Sequence, residues 1–161
     1  MAIKVGDPLP ADVKLKEMKD GGPKDVTVGE LFKGKRVVLF AVPGAFTPTC
    51  SMKHLPGFVG EAAKIKAKGV DEIVCVSVND AFVMDAWGKA SGAPGKVRML
   101  ADGNGEFTRA VGLELDASGF GMGKRSQRYG MVVKDGKVEQ LHVEPGPGLN
   151  VCSAESILSK L

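Results

Sequence analysis

The chain has 161 residues, of which 43% are apolar and 25% are charged, and its formal net charge is +3. This size and composition predict a single folded domain over 1–161. The scattered basic residues argue against nucleic-acid binding, and the longest apolar run, Val37–Val42, is too short to span a membrane.

The first half of the chain alternates between predicted helix and strand. Val28–Lys33 is predicted as a short helix and Arg36–Val42 as a buried strand. A long helix is predicted over Thr47–Lys68, with a kink at Pro56, because proline removes a hydrogen bond of the helix. Gly69 is the expected C-cap of this helix.

The second half adds further elements, which the apolar spacing predicts as strand Ile73–Val78, helix Ala81–Ala90, strand Val97–Leu100 and helix Glu106–Val111. Two apolar alternations, Tyr129–Val133 and Lys137–Val143, surround an Asp-Gly pair and predict a hairpin. Ser153 should cap a last helix that ends at Leu158. The order of elements predicts an α/β fold with a central mixed sheet flanked by helices.

The most informative stretch is Pro43–Cys50, which directly follows the first predicted strand. Thr47 is a good N-cap, and Pro48 then occupies the first helical position, where its missing N–H costs nothing. Cys50 lies among the unpaired N–H groups at the positive end of the helix dipole. This environment stabilises a thiolate, the reactive form, so we predict that Cys50 is a nucleophile.

These residues resemble the active-site loop of peroxiredoxins, and Ser51–Phe58 is similar to the peroxiredoxin-5 subfamily, called type II in plants. Further matches at Val76–Val83, Ala86–Gly88 and Arg128-Tyr129 extend the resemblance over nearly the whole chain. It implies a thioredoxin-like fold and reduction of hydrogen peroxide and organic hydroperoxides without a metal or organic cofactor. It also implies a homodimer, recycled by thioredoxin or by glutaredoxin with glutathione.

The resemblance makes Cys50 the peroxidatic cysteine, with Thr47 and an arginine holding the peroxide. A guanidinium offers charge and two donors in fixed geometry, which lysine cannot. Arg128 stands directly before a predicted strand, where the family places its arginine, and Arg125 is expected to be a solvated loop charge. Pro43 is expected to shield the thiolate and shape the turn.

Two other cysteines are candidates for the resolving thiol, which would attack the sulfenic acid left on Cys50. Cys75 lies in a predicted strand and matches the second cysteine of plant type II members. Cys152 follows the Gly146–Gly148 loop, is expected to be exposed and mobile, and matches the animal peroxiredoxin-5 group. We predict that Cys152 resolves, with Cys75 and an external thiol as alternatives.

Three unpaired cysteines argue against a disulfide-stapled secreted module and for a reducing compartment. We therefore predict a cytoplasmic protein, or a chloroplast or mitochondrial one if a transit peptide has been removed. His54 lies one helical turn after Cys50, where we interpret it as structural rather than as a Cys-His partner. The cysteines and histidines do not form a ligand set, so no metal site is predicted.

Three other functions compete with the peroxidase. A thiol–disulfide oxidoreductase would need a second cysteine where Thr47 stands. A redox sensor would oxidise once without turnover, and a Cys-His hydrolase would cleave esters independently of peroxide.

Overall fold

The computed structural model describes residues 2–146 and 148–161, so Pro147 of the predicted loop lies outside the described residues. The strands are β1 (Lys14–Lys19), β2 (Gly22–Thr27), β3 (Arg36–Val42), β4 (Glu72–Ser77), β5 (Arg98–Ala101), β6 (Glu114–Asp116), β7 (Lys124–Ser126), β8 (Tyr129–Lys134) and β9 (Lys137–Val143). The helices are α1 (Val28–Phe32), α2 (Leu55–Lys66), α3 (Ala81–Ala90), α4 (Glu106–Val111) and α5 (Ala154–Ser159), with a π-helical turn at Cys50–His54 and a 3-10 turn at Ser118–Phe120.

Within the described residues, seven strands form one mixed sheet in the order β2-β1-β5-β4-β3-β8-β9, and β6 pairs with β7. Strand β3 is parallel to β4 and antiparallel to β8, with Ala41 opposite Tyr129. Because β3 and β8 run in opposite directions, Arg128 lies beyond this pair, at the carboxyl end of β3. The loop Pro43–Thr47 begins at the same end.

The central strand separates two apolar clusters. Within Val37–Val42 the even-numbered side chains pack with α2, α3 and α5, and the odd-numbered ones pack with α1 and α4. All six residues are fully buried, as expected of a strand covered on both faces. Helices therefore flank both faces of the mixed sheet, which confirms the predicted architecture.

The bounds of four predicted elements are confirmed without change: Arg36–Val42, Ala81–Ala90, Glu106–Val111 and Lys137–Val143. A helix is present within the predicted range Thr47–Lys68, but the position predicted for its irregularity, Pro56, is wrong. Leu55 N–H donates to Cys50 O, five residues back, so the first turns are widened into a π-helix. The irregularity thus lies before Pro56, which falls in the first turn of α2.

Two hairpins of the structure were not predicted from the sequence. Strands β1 and β2 turn at Asp20-Gly21, whose φ angles are +51° and +80°. Such an Asp-Gly pair is the signal that also marks the β8–β9 hairpin. Strands β6 and β7 are three residues long and mostly exposed, so they carry no apolar alternation. In the ranges 2–146 and 148–161, each helix falls short of the length and apolarity that a membrane crossing requires.

Candidate active site

Cys50 lies at the start of the π-helical turn and is fully buried. Arg128, the residue immediately before β8, donates from Nη2 to Cys50 Sγ at 3.1 Å. The positive guanidinium stabilises negative charge on this sulfur. The predicted pair Cys50 and Arg128 is therefore brought into direct contact.

His54 orients this arginine. Arg128 Nη1 donates to His54 Nδ1 at 2.9 Å, and His54 Nε2 donates to the carbonyl of Cys152 at 3.0 Å. Each ring nitrogen of His54 therefore has a hydrogen-bond partner, and neither partner is Cys50. A hydrogen-bonded chain runs from Cys50 through Arg128 and His54 to Cys152.

The histidine is neutral in this position. Its ring packs against Phe40 and Phe58, at centroid distances of 4.8 Å and 5.6 Å. Burial, followed by the charge of Arg128, lowers the pKa of His54 from 6.5 to about 3. A neutral ring that is protonated at Nε2 can accept the arginine N–H at Nδ1, which agrees with the geometry.

The loop Pro43–Thr47 contains a strained residue and is held by a hydrogen bond to Asn79. Phe46 has a φ angle of +63°, a left-handed conformation that is uncommon for a bulky residue. Ala45 N–H donates to Asn79 Oδ1 at 3.0 Å, and Ser77 Oγ donates to the same oxygen at 2.6 Å. Asn79 follows β4, so the parallel neighbour of β3 holds the loop.

Thr47 begins the helix, because Ser51 N–H donates to its carbonyl at 2.9 Å. Its side chain does not act as the predicted cap. The Thr47 hydroxyl donates to Gly44 O at 2.7 Å, and among the described residues it accepts no recorded bond from a backbone N–H. The hydroxyl oxygen thus keeps its acceptor capacity, in the loop beside Cys50.

Arg125 is not the solvated loop charge that was predicted. It is half-buried in β7, where Nε donates to Met122 O at 2.9 Å and Nη1 lies 3.5 Å from Pro43 O. Pro43 is also half-buried, at the turn after β3. Arg125 therefore joins β7 to the predicted active-site turn.

The prediction that Cys152 is exposed is wrong, since the residue is fully buried. Burial, followed by the neighbouring Glu144 carboxylate, raises the pKa of its thiol. Cys75 is also fully buried, in the middle of β4, and burial, followed by Cys50, raises the pKa of its thiol. All three cysteines are free thiols.

Sequence reasoning missed two polar residues of this region, Asn79 and Glu144. Asn79 lies two residues after the buried parallel strand β4, at the edge where ligands and active-site loops gather. Glu144 ends an apolar alternation just before the Cys152 segment, and no motif marks it. Within the described ranges, no group of three or more His, Cys, Asp or Glu residues is arranged to hold a metal.

Comparisons with known proteins show the family of the chain. The model of the Redoxin family matches residues 4–158. Peroxiredoxin-2E, chloroplastic, from Arabidopsis thaliana is 50% identical over 163 residues, which cover 99% of this chain and 70% of the relative. Reduced Prx3 from Vibrio vulnificus, crystallised with hydrogen peroxide, is 53% identical with a TM-score of 0.93 and 98% coverage of both chains. Peroxiredoxin 5 from Alvinella pompejana is 40% identical with a TM-score of 0.86, and the match covers 98% of this chain and 96% of that one.

The fold and the buried, arginine-bound cysteine define a thiol-based redox protein of thioredoxin-like fold. The chain belongs to the Redoxin family and, within it, to the peroxiredoxins. Its activity is that of a thiol-dependent peroxidase, which takes hydroperoxides as substrates and is recycled by reductants of thioredoxin type.

Proposed function

We propose that Cys50 is the peroxidatic cysteine of this thiol peroxidase. The observation that carries the assignment is the 3.1 Å hydrogen bond from Arg128 Nη2 to Cys50 Sγ. It places the permanently positive guanidinium directly beside the buried sulfur, where it stabilises negative charge. The solved Vibrio vulnificus relative was crystallised with hydrogen peroxide, which supports the same substrate class here.

The reaction follows from this arrangement. The Cys50 thiolate attacks one peroxide oxygen, the S–O bond forms and the O–O bond breaks. The leaving oxygen takes a proton and departs as water or an alcohol, and Cys50 becomes a sulfenic acid. Arg128 stabilises the charge that moves from sulfur to the leaving oxygen.

Thr47 and Pro43 complete the proposed pocket. The Thr47 hydroxyl is half-buried in the loop that precedes Cys50, so it can exchange its bond to Gly44 O for one to the peroxide. Pro43 closes the turn after β3 and has no N–H to satisfy. Arg125 supports this turn through the carbonyl of Pro43.

Cys152 is the proposed resolving cysteine. Cys75 lies in β4, which is paired with β3 on one side and β5 on the other, so moving it would break both ladders. Cys152 lies in a loop before α5, so its release would break no strand ladder. An external thiol, such as glutathione, remains the alternative attacker of the sulfenic acid.

We also propose a domain organisation, an assembly and a location for the protein. The family model spans nearly the whole chain, which supports one domain over 1–161. The large apolar side chains of Phe46, Met52, Phe82 and Phe120 are 55–87% exposed, which supports a homodimer. We propose recycling by thioredoxin or glutaredoxin, and no nucleic-acid or membrane partner. We propose a cytoplasmic or organellar location, and the chloroplastic relatives support the organellar one.

Peroxide consumption with dithiothreitol as reductant tests the assignment. Cys50→Ser should abolish turnover, whereas Cys75→Ala should retain it, because dithiothreitol replaces any internal thiol. Full turnover by Cys50→Ser would refute the assignment. A parallel insulin-reduction assay should be negative, since Thr47 stands where an oxidoreductase has its second cysteine.

A further inference from the structure

The segment that carries Cys152 is held by one carboxylate at the end of β9. Glu144 Oε2 accepts three consecutive backbone N–H groups, from Asn150 at 2.9 Å, Val151 at 2.7 Å and Cys152 at 2.9 Å. Glu144 N–H in turn donates to Arg128 O at 2.9 Å. The backbone of Glu144 is therefore anchored to the residue that binds the Cys50 sulfur.

The Glu144 carboxylate is buried, and only one of its two oxygens is satisfied among the described residues. Only 6% of Glu144 is exposed, and within the described residues its Oε1 has no hydrogen-bond partner. Burial raises the pKa of Glu144, but the N–H groups of Asn150 and Cys152, the Cys152 side chain and the N–H group of Val151 together outweigh it and hold the pKa below its ordinary value. A buried charge with one unpaired oxygen is costly, and opening the loop relieves that cost by admitting water.

The closed segment also hides the thiol. A Cβ built on Gly130 would lie 3.1 Å from Cys152 Cβ, so Cys152 packs directly on the backbone of β8. The His54 bond to the Cys152 carbonyl fixes the same residue from the other side. While these contacts persist, the thiol is buried beside a negative charge and is unreactive.

We propose that Glu144 is a latch that keeps the Cys152 segment closed, and that its release is the step that admits Cys152 to oxidised Cys50. The second part rests on the proposed resolving role of Cys152. After release, Cys152 sulfur attacks the sulfenic sulfur of Cys50, the S–S bond forms and the S–O bond breaks. The departing hydroxide takes the proton of the Cys152 thiol and leaves as water, so no further reagent is needed.

The latch is tested without peroxide, in a Cys50→Ser background. Glu144→Gln keeps the size of the side chain and removes its charge, which weakens charge-assisted hydrogen bonds. Iodoacetamide labelling of Cys152, counted by peptide mapping, should become about tenfold faster. Cys75 serves as an internal control and should label at an unchanged rate.

The matched control is Glu155→Gln, the same charge change at an exposed position in α5, which should leave Cys152 labelling at the parent rate. Equal Cys152 labelling in the parent and Glu144→Gln would overturn the latch. Faster labelling of both Cys75 and Cys152 would also overturn it, because it would indicate general loosening of the fold.

The second part is tested with Cys50 present. Trp87 is the sole tryptophan and donates to Ser51, next to Cys50, so its fluorescence can follow oxidation in a stopped-flow experiment. Disulfide formation in Glu144→Gln should be about tenfold faster than in the parent. An unchanged rate would show that release is not the controlling step. Absence of a Cys50–Cys152 bond in the parent would refute the resolving role, and the labelling result would still decide the latch.

Discussion

His54 Nδ1 accepts a hydrogen bond from Arg128 Nη1 at 2.9 Å, and the other terminal nitrogen of the same guanidinium lies on Cys50 Sγ. Because the guanidinium is planar, fixing Nη1 also fixes the direction of Nη2. His54 therefore positions Arg128. Within the described residues, its own two hydrogen bonds go to Arg128 and Cys152 and not to the reacting sulfur.

Arg128→Lys should slow the reaction of Cys50 with peroxide by about 10²–10³-fold, the usual cost of losing one donor that stabilises developing charge. Lysine keeps the positive charge but cannot contact His54 and Cys50 in the same fixed geometry. The second-order rate constant for tert-butyl hydroperoxide measures the effect. Arg109→Lys, at an exposed arginine bonded to Asn104 O, is the control. An Arg128→Lys rate within threefold of the parent would contradict the proposed role.

Thr47→Val should lower the same rate constant by about 10²-fold, because valine keeps the shape of threonine but lacks the hydroxyl. Thr47→Ser keeps the hydroxyl and should retain most of the rate. If the two variants react equally fast, the hydroxyl does not contact the peroxide and Thr47 serves only to start the helix.

Gly44→Ala should lower the rate by about tenfold or more, since small displacements at a reacting site are costly. A Cβ at this position would lie 3.0 Å from Met122, 3.1 Å from Thr47 and 3.2 Å from Arg125. Gly60→Ala, in α2, is the matched control, because a Cβ there meets no atom within 4 Å. Equal rates for both variants would show that the turn tolerates a side chain.

Stability should fall as the pH is lowered below 6.5, because His54 is buried and neutral. Its pKa is lowered to about 3 in the folded protein, first by burial and then by Arg128, and returns to about 6.5 on unfolding. Between these values the unfolded chain binds the extra proton. The free energy of unfolding should therefore drop by up to about 1.4 kcal/mol per pH unit across this window.

Urea unfolding at pH 7, 6 and 5 measures this slope. His54→Gln should flatten it, whereas His142→Gln, at a half-buried histidine in β9, should retain most of it. A slope in His54→Gln equal to that of the parent would show that another group is responsible.

The sequence predicted those parts of the site that local patterns determine. Cys50 could be placed because an apolar strand, a turn and a proline-started helix are contiguous in the chain. Arg128 could be placed only through its resemblance to a family motif, since 78 residues separate it from Cys50. Their contact depends on the antiparallel register of β3 and β8, which a single sequence does not specify.

The errors have the same origin. Cys152 follows a glycine-rich, loop-like stretch, which is typical of an exposed segment, yet Glu144 and His54 bury it through contacts between distant parts of the chain. Arg125 was predicted to be a solvated charge because the sequence does not show that β7 packs against the Pro43 turn. In both cases tertiary contacts decide the exposure of a residue whose neighbours in sequence are polar or small.

The intact mass of the reduced protein after one equivalent of tert-butyl hydroperoxide shows whether Cys50 reduces peroxide. Peptide mapping of the same sample locates the oxidised residue. We predict the loss of two hydrogens within the monomer and a Cys50–Cys152 disulfide. An unchanged mass after exposure for several seconds would show that Cys50 is an ordinary buried thiol and does not reduce peroxide.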